Sequence, residues 1–175
     1  MPRAKLKIVP PPVQTPVEVM GEILREYGTR GVFKGVSDAM KHRGKPMFRM
    51  LWHYGQVFDL LIDEAAGTLS FPVLLPKVPG KSAMYRDLDS FIGKFWTDAV
   101  PEHRRVDERR AIYRLGTTRA GHVSLTMSVG DGDWEYAIRK LIHVVHEIFI
   151  VFLNDGPYYE YRIEKLGLDP DVVWA

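Results

Sequence analysis

Two alternating stretches joined by a four-residue loop constrain the fold of this chain more than any other feature. In residues 57–63 and 68–75, apolar residues recur at every second position, and the loop between them ends in Gly67. Such alternation is typical of strands that bury one face, and a glycine in a short loop is typical of a hairpin. The sequence therefore predicts a β-hairpin whose cross-strand pairs are Ile62 with Leu69, Leu60 with Phe71 and Phe58 with Val73.

Similar sequence patterns predict the positions of the other strands and helices. Alternation predicts strands at 47–54, 110–116 and 122–129, and Pro72 predicts an edge or a bulge in its strand. Capping residues and apolar stripes predict helices that begin after Thr15, Ser82 and Asp133, the last running over 134–153. We also expect a weaker helix over 32–42 and a short one over 158–166.

This order of elements, α(α)-βββ-α-ββ-α-α, predicts a single α+β domain over residues 15–175. Its antiparallel sheet would have about five strands, with the helices packed on one face. Residues 1–14 are rich in proline and lysine and are predicted to form a flexible arm. Residues 57–76 also align with 111–130 without a gap, which raises a ββα duplication over 57–97 and 111–154.

The element order resembles that of small secretion-chaperone-like α+β domains. Such domains tend to be acidic, whereas this chain has a net charge of +2. Its basic excess lies in the first 50 residues, where ten Lys and Arg face four Asp and Glu.

Several classes of chemistry are excluded by residue content. The chain has 175 residues and no cysteine, so a disulfide scaffold, a thiolate metal site and a cysteine nucleophile are ruled out. It also lacks the glycine-rich nucleotide loops and the serine nucleophile motif, so we expect no cofactor. The most apolar run, 141–153, is short and contains three polar residues, so we expect a soluble, cytoplasmic protein without a membrane span.

The solvent side of the last hairpin is the first candidate site. Cations and hydroxyls on one sheet face can bind a carboxylate or a phosphate. An ordinary wet face of an antiparallel sheet explains the same pattern and stays open as the alternative. The residues concerned are Arg110, Arg114, His122, Ser124 and Thr126.

A second candidate lies on the long helix, where His143, His146 and Glu147 share one side. A metal ion there would need a further ligand, such as His53 or His122. The spacing does not match the zinc-protease motif. A plain polar stripe on an amphipathic helix is the interpretation that the sequence favours.

The third candidate is the aromatic group around residue 52. Aromatic rings beside a guanidinium can stack against a flat ligand. Strand alternation, however, puts Trp52 and Tyr54 on one face and Arg49 and His53 on the other. The pattern therefore favours core aromatics and surface polar residues.

Without a catalytic motif, we expect an adaptor or chaperone-like accessory protein that binds a protein partner or a second copy of itself. Large aromatics near the end of the chain are favoured at interfaces, although they suit a tail folded over its own core equally well. They are Tyr158, Tyr159, Tyr161 and Trp174. A small-ligand site or enzyme around Arg114 and His122 is the alternative. Nucleic-acid binding through the cations of the arm is a second, less favoured one.

Overall fold

The computed structural model describes residues 10–171, which form helices on a single antiparallel sheet. The strands are β1 (Gly35–Val36), β2 (Met40–His42), β3 (Lys45–Leu51), β4 (Val57–Asp63), β5 (Thr68–Leu75), β6 (Ala111–Thr117) and β7 (Val123–Val129). Their order in the sheet is β1-β3-β4-β5-β7-β6, and β2 also pairs with β3. The helices are α1 (Pro16–Thr29), α2 (Ala83–Gly93), α3 (Trp134–Glu147) and α4 (Tyr159–Glu164).

Alternation along the strands decides which face of the sheet is covered. Every second residue of β4, for example Phe58, Leu60 and Ile62, is buried in the core, together with apolar residues of α1, α2 and α3. The opposite face, here called the outer face, carries exposed or half-buried residues such as Arg49, Leu51, Val57, Asp59 and Ile112. The predicted α+β class, with helices on one face of an antiparallel sheet, is confirmed.

The start of α1 agrees with its sequence signal. Thr15 Oγ1 accepts a hydrogen bond from the Glu18 backbone N–H at 3.3 Å, and a Glu18 carboxylate oxygen accepts from the Thr15 N–H at 2.8 Å. This reciprocal capping box satisfies two amides that a helix start leaves without partners. Pro16 occupies the first turn, where no amide donor is needed.

The predicted helix over 32–42 is wrong, and two short strands occupy its place. The physical reason is the turn between β2 and β3, where His42 pairs with Lys45 around a two-residue loop. Both loop residues have left-handed backbones, with φ of 49° at Arg43 and 79° at Gly44, as the tightest hairpin turns require. These two strands bring the sheet to seven strands rather than about five.

The central hairpin has the predicted register at its closed end, where Ile62 pairs with Leu69. Its far end departs from the prediction, because Val73 is 42% exposed rather than part of the core. The pairing of β5 with β7 shifts between Phe71 and Leu75, so alternation is interrupted around Pro72. The predicted bulge is therefore present, and it turns Val73 outward.

The long helix predicted over 134–153 is interrupted. Regular α-helix ends at Glu147, a π-helical turn covers Ile148–Phe152, and one more α-turn follows at Leu153–Asp155. The wider turn changes the angle at which the following side chains leave the helix, and such turns are frequent at functional sites.

Two of the sequence-based predictions are not tested by the described residues. The predicted arm lies mostly in residues 1–9, which are outside the described residues, and the ββα duplication stays a prediction. No helix between residues 10 and 171 combines the length and the apolar character needed to cross a membrane.

A cavity lined by aromatic rings and histidines

The connection between β3 and β4 brings His53 to the helix side of the sheet. Within it, the Trp52 N–H donates to the Gln56 carbonyl and the Gly55 N–H to the Trp52 carbonyl, both at 3.0 Å. Tyr54 and Gly55 have left-handed backbones, with φ of 53° and 68°. Because the strand ends at Leu51, its alternation does not extend to residue 53. The predicted surface position of His53 is therefore wrong.

Arg49, by contrast, stays on the outer face. Its Nε donates to Asp59 Oδ1 at 2.7 Å, across the β3–β4 pair. The aromatic group of the third candidate is thus divided. Trp52, His53 and Tyr54 meet on the helix side, and the guanidinium lies on the other side of the sheet.

His53 is stacked between two aromatic rings and contacts a second histidine. Its ring centroid lies 4.4 Å from that of Trp52 and 4.6 Å from that of Phe149, the latter nearly parallel at 3°. His53 Nε2 lies 3.4 Å from His146 Nδ1. Phe149 belongs to the π-helical turn that follows α3, so this turn and the β3–β4 connection together form the stack.

Burial favours the neutral form of both histidines. Burial lowers the pKa of His53 to about 3, and the neighbouring His146 lowers it further in the same direction. Burial also lowers the pKa of His146, opposed by the charge of Glu147. In a neutral pair, one ring donates to the other. Each ring keeps a second nitrogen, Nδ1 of His53 and Nε2 of His146, that can meet a ligand.

A cavity of about 430 Å³ lies beside this pair. That volume is in the range of small-molecule sites, which are mostly apolar with a few polar groups. α1 and the segment after it supply one wall, the β3–β4 connection the second and α3 the third. The lining residues are Tyr27, Gly31, Val32, Lys34, Trp52, His53, Tyr54, Ile142, His143 and His146.

His143 lines the same cavity, and its buried Nε2 has no hydrogen-bond partner in the described part of the chain. Burial lowers its pKa, and its ring packs edge-on against Phe95 at 5.9 Å. Glu147 is not part of the lining. Within residues 10–171, no three His, Asp or Glu side chains are grouped so that they could hold a metal ion. The structure therefore does not group His143, His146 and Glu147, within the described residues, in a way that could hold a metal ion.

The polar set on the last hairpin is not brought together as one site. Arg110 reaches Asp131 and Asp133, at 2.8 and 2.6 Å, and His122 Nδ1 accepts from the Lys77 N–H at 3.0 Å. Arg114 is exposed and lies directly opposite Thr126, while Ser124 lies opposite Gly116. Arg114, Ser124 and Thr126 thus share the outer face, and ligand binding there stays a prediction.

The aromatics predicted for an interface have different surroundings. Tyr158 stacks on Phe152 and donates a hydrogen bond to Asp87. The Tyr161 hydroxyl donates to the Pro76 carbonyl at 2.7 Å. Tyr159 is 49% exposed, and Trp174 lies outside the described residues. Two of the four therefore pack on this chain's own core, and an interface role stays a prediction.

The fold and the cavity define the chain as an α+β domain with one helix-covered antiparallel sheet and a ligand-sized cavity at the end of β3. Comparisons with protein-family models, with curated proteins and with solved structures found no match.

Proposed function

We propose that this chain binds a small, flat, largely apolar molecule in the cavity beside His53. The observation that carries the proposal is the contact between His53 and His146 at the wall of a cavity of ligand size, with His53 stacked between Trp52 and Phe149. The role is binding rather than catalysis. It replaces the outer face around Arg114 and His122 as the favoured ligand site.

The cavity wall specifies the ligand class. Aromatic faces favour a flat ring by stacking, and they add to its burial from water. The second nitrogen of each imidazole offers a donor or an acceptor to one polar group on that ring. Because the histidines are neutral, they do not select for a charged group. A fused ring with a single hydroxyl therefore fits this chemistry.

The proposal is tested by titrating the protein with 2-naphthol and measuring binding by isothermal titration calorimetry. Val32 is half-buried and lines the cavity, so Val32→Trp fills the space without removing a core side chain. We expect the wild type to bind 2-naphthol and Val32→Trp to lose binding. The same substitution at an exposed valine of β5, Val73→Trp, is the matched control and keeps binding. Absence of binding to the wild type, or equal binding to both variants, contradicts the proposal.

A protein-interaction role is the second candidate, and one feature of the outer face favours it. Leu51 and Val57 pair directly across β3 and β4 and are 36% and 58% exposed. A second copy of the chain is the partner we propose for this apolar pair. Sedimentation equilibrium of the wild type and of Val57→Lys tests it. We expect association in the wild type alone, and a wild type that stays monomeric contradicts this candidate.

Nucleic-acid binding receives less support from the described residues. Arg109 pairs with Asp107 and Arg110 with two aspartates, so these cations already contact carboxylates. The cations of the arm, Arg3, Lys5 and Lys7, lie outside the described residues. This alternative stays a prediction, and a steep salt dependence of binding would be its signature.

A further inference from the structure

Arg162 is the one charged side chain that is buried among residues 10–171. It projects from α4 and is 8% exposed. Taking a guanidinium out of water is costly unless a carboxylate or a similar anion compensates its charge. Buried arginines are therefore expected to have an acidic partner.

Arg162 has no acidic partner in the described part of the chain. Every ion pair found there joins other residues. Its Nη1 donates to the Asn154 amide oxygen at 2.8 Å and to the Tyr54 hydroxyl at 3.4 Å. The guanidinium also lies 5.2 Å from the centre of the Tyr159 ring. Its Nε is buried and has no hydrogen-bond partner among residues 10–171. The charge is thus held by neutral groups alone.

A second cavity, of about 600 Å³, adjoins this arginine. Asn154, Tyr159 and Arg162 are among the residues that line it, and His53 and Tyr54 line both this cavity and the first one. Asp169 also lies at its border, with one carboxylate oxygen accepting from the Asp171 N–H at 2.9 Å. An uncompensated cation therefore lies at the wall of a space large enough for a ligand.

We propose that the cavity at Arg162 binds the carboxylate of a small organic acid. One guanidinium compensates one negative charge, and its planar fork matches a carboxylate. A doubly charged phosphate fits less well, because Arg162 is the only cation among the described residues that line this cavity, and Asp169 would repel the second charge. The apolar neighbours, Phe149 and Leu168, suit the carbon part of such an acid. The inference does not rest on the function proposed above, because Arg162 lines the second cavity and not the first.

The first test compares two probes of nearly equal shape on the wild-type protein. Benzoate carries the carboxylate, and benzamide replaces it with a neutral amide. Binding is followed by calorimetry and by the NMR signal of the Arg162 Nε–H group, which has no partner in the described residues. We expect benzoate to bind and to shift this signal, and benzamide to do neither at the same concentration. Equal binding of the two, or no binding of benzoate, overturns the inference. Tighter binding of inorganic phosphate than of benzoate overturns the choice of a carboxylate.

The second test removes the charge. Arg162→Met is expected to weaken benzoate binding about 10- to 100-fold, as for a lost hydrogen-bonded ion contact. It should unfold at the same temperature as the wild type or higher, because it removes a buried charge that lacks an acidic partner among the described residues. An arginine that serves only to support the fold would instead lower that temperature. Benzoate affinity that is unchanged in Arg162→Met overturns the inference.

Two further variants complete the test. If Arg162→Met does not fold, Arg162→Lys keeps a charge but loses the planar fork. Weaker benzoate binding by that variant then supports the inference, and unchanged binding overturns it. Val32→Trp fills the first cavity only and should keep benzoate binding, so failure of the proposed function and failure of this inference give different results.

Discussion

The outer face of the sheet and the helix side at the end of β3 hold their ionisable side chains differently. On the outer face, Arg49 contacts Asp59 and both remain partly exposed, with side-chain exposures of 52% and 35%. On the helix side, His53 and Arg162 are surrounded by aromatic rings and neutral groups. Exposed ion pairs of the first kind are common and contribute little to stability. Buried groups without an opposite charge cost stability, so their presence calls for a functional reason.

The difference also concerns the backbone. Around Arg49 and Asp59 the outer face is formed by the regular pair β3 and β4, whereas the helix-side site depends on two irregular segments. One is the left-handed Tyr54 in the β3–β4 connection, and the other is the π-helical turn Ile148–Phe152. A left-handed backbone at a non-glycine residue costs energy of order 1 kcal/mol and is concentrated at functional sites. Unpaired ionisable groups and irregular backbone therefore coincide in one region.

Truncation of a ring on the helix side should give the largest effect. Trp52 is 4% exposed and contacts Phe33, Phe58 and His53, so Trp52→Ala is expected to lower the free energy of unfolding by about 3–5 kcal/mol. Ile112→Ala on the outer face, where the side chain is 41% exposed, should cost less than about 1 kcal/mol. Urea unfolding followed by circular dichroism measures both. Similar losses at the two sites would contradict the comparison.

The pH dependence of stability should be the next largest effect. Burial lowers the pKa of His53, His143 and His146 below 6.5 in the folded protein. As the pH falls below 6.5, the unfolded chain therefore binds more protons than the folded one, and stability falls. Each histidine that stays neutral in the folded state contributes a slope of about 1.4 kcal/mol per pH unit.

Unfolding titrations between pH 6.5 and about 5 measure this slope. His53→Phe keeps the stacked ring and should reduce the slope by the contribution of one proton. Asp107→Asn is the control, because Arg109 lowers the pKa of that carboxyl to about 2, outside the range tested. Stability that does not change over the range would show that the histidines are charged in the folded protein.

A smaller effect is expected on the affinity for the proposed ligand. His146→Phe keeps a flat ring but removes both ring nitrogens, so the affinity for 2-naphthol should fall about tenfold through the loss of one hydrogen bond. Calorimetry measures the change, and naphthalene, which lacks the hydroxyl, should bind both proteins equally. If naphthalene loses affinity as well, the variant has altered the shape of the cavity rather than its hydrogen bonding.

The smallest effect should come from the outer face. Asp59→Asn removes the exposed ion pair with Arg49, and the urea midpoint should stay within the error of repeated measurements. Any difference from the wild type should vanish at high salt, because exposed charges are screened. A marked loss of stability would show that exposed pairs matter here as much as buried groups do, and it would remove the contrast between the two regions.

Local patterns predicted most of the elements but failed where the chain leaves regular geometry. The strand alternation of β4 and the capping box at Thr15 appear in the structure as predicted. The helix predicted over 32–42 failed because the tight turn at Arg43 and Gly44 starts a strand pair instead. The predicted core position of Val73 is wrong because the bulge near Pro72 shifts the alternation. Both errors therefore occur at a tight turn or a bulge, which hydrophobic periodicity alone does not predict.

The site was only partly visible in the sequence. Trp52, His53 and Tyr54 stood out as an aromatic group before Gly55, and His143 and His146 as a polar stripe. No sequence pattern predicted a role for Arg162, because arginines are common in short polar helices. Its importance depends on burial and on missing partners, which are properties of the folded chain.

The sequence by itself determined the α+β class and the buried face of regular strands such as β4 and β7, because periods of two and 3.6 residues are local properties. Only the tertiary structure decided which polar groups meet. His53 and His146 are 93 positions apart, and Tyr54 and Arg162 are 108 apart. Whether such groups come together depends on the left-handed Tyr54 and on the π-helical turn after α3. Packing between distant segments fixes these two features, and local residue patterns do not encode them.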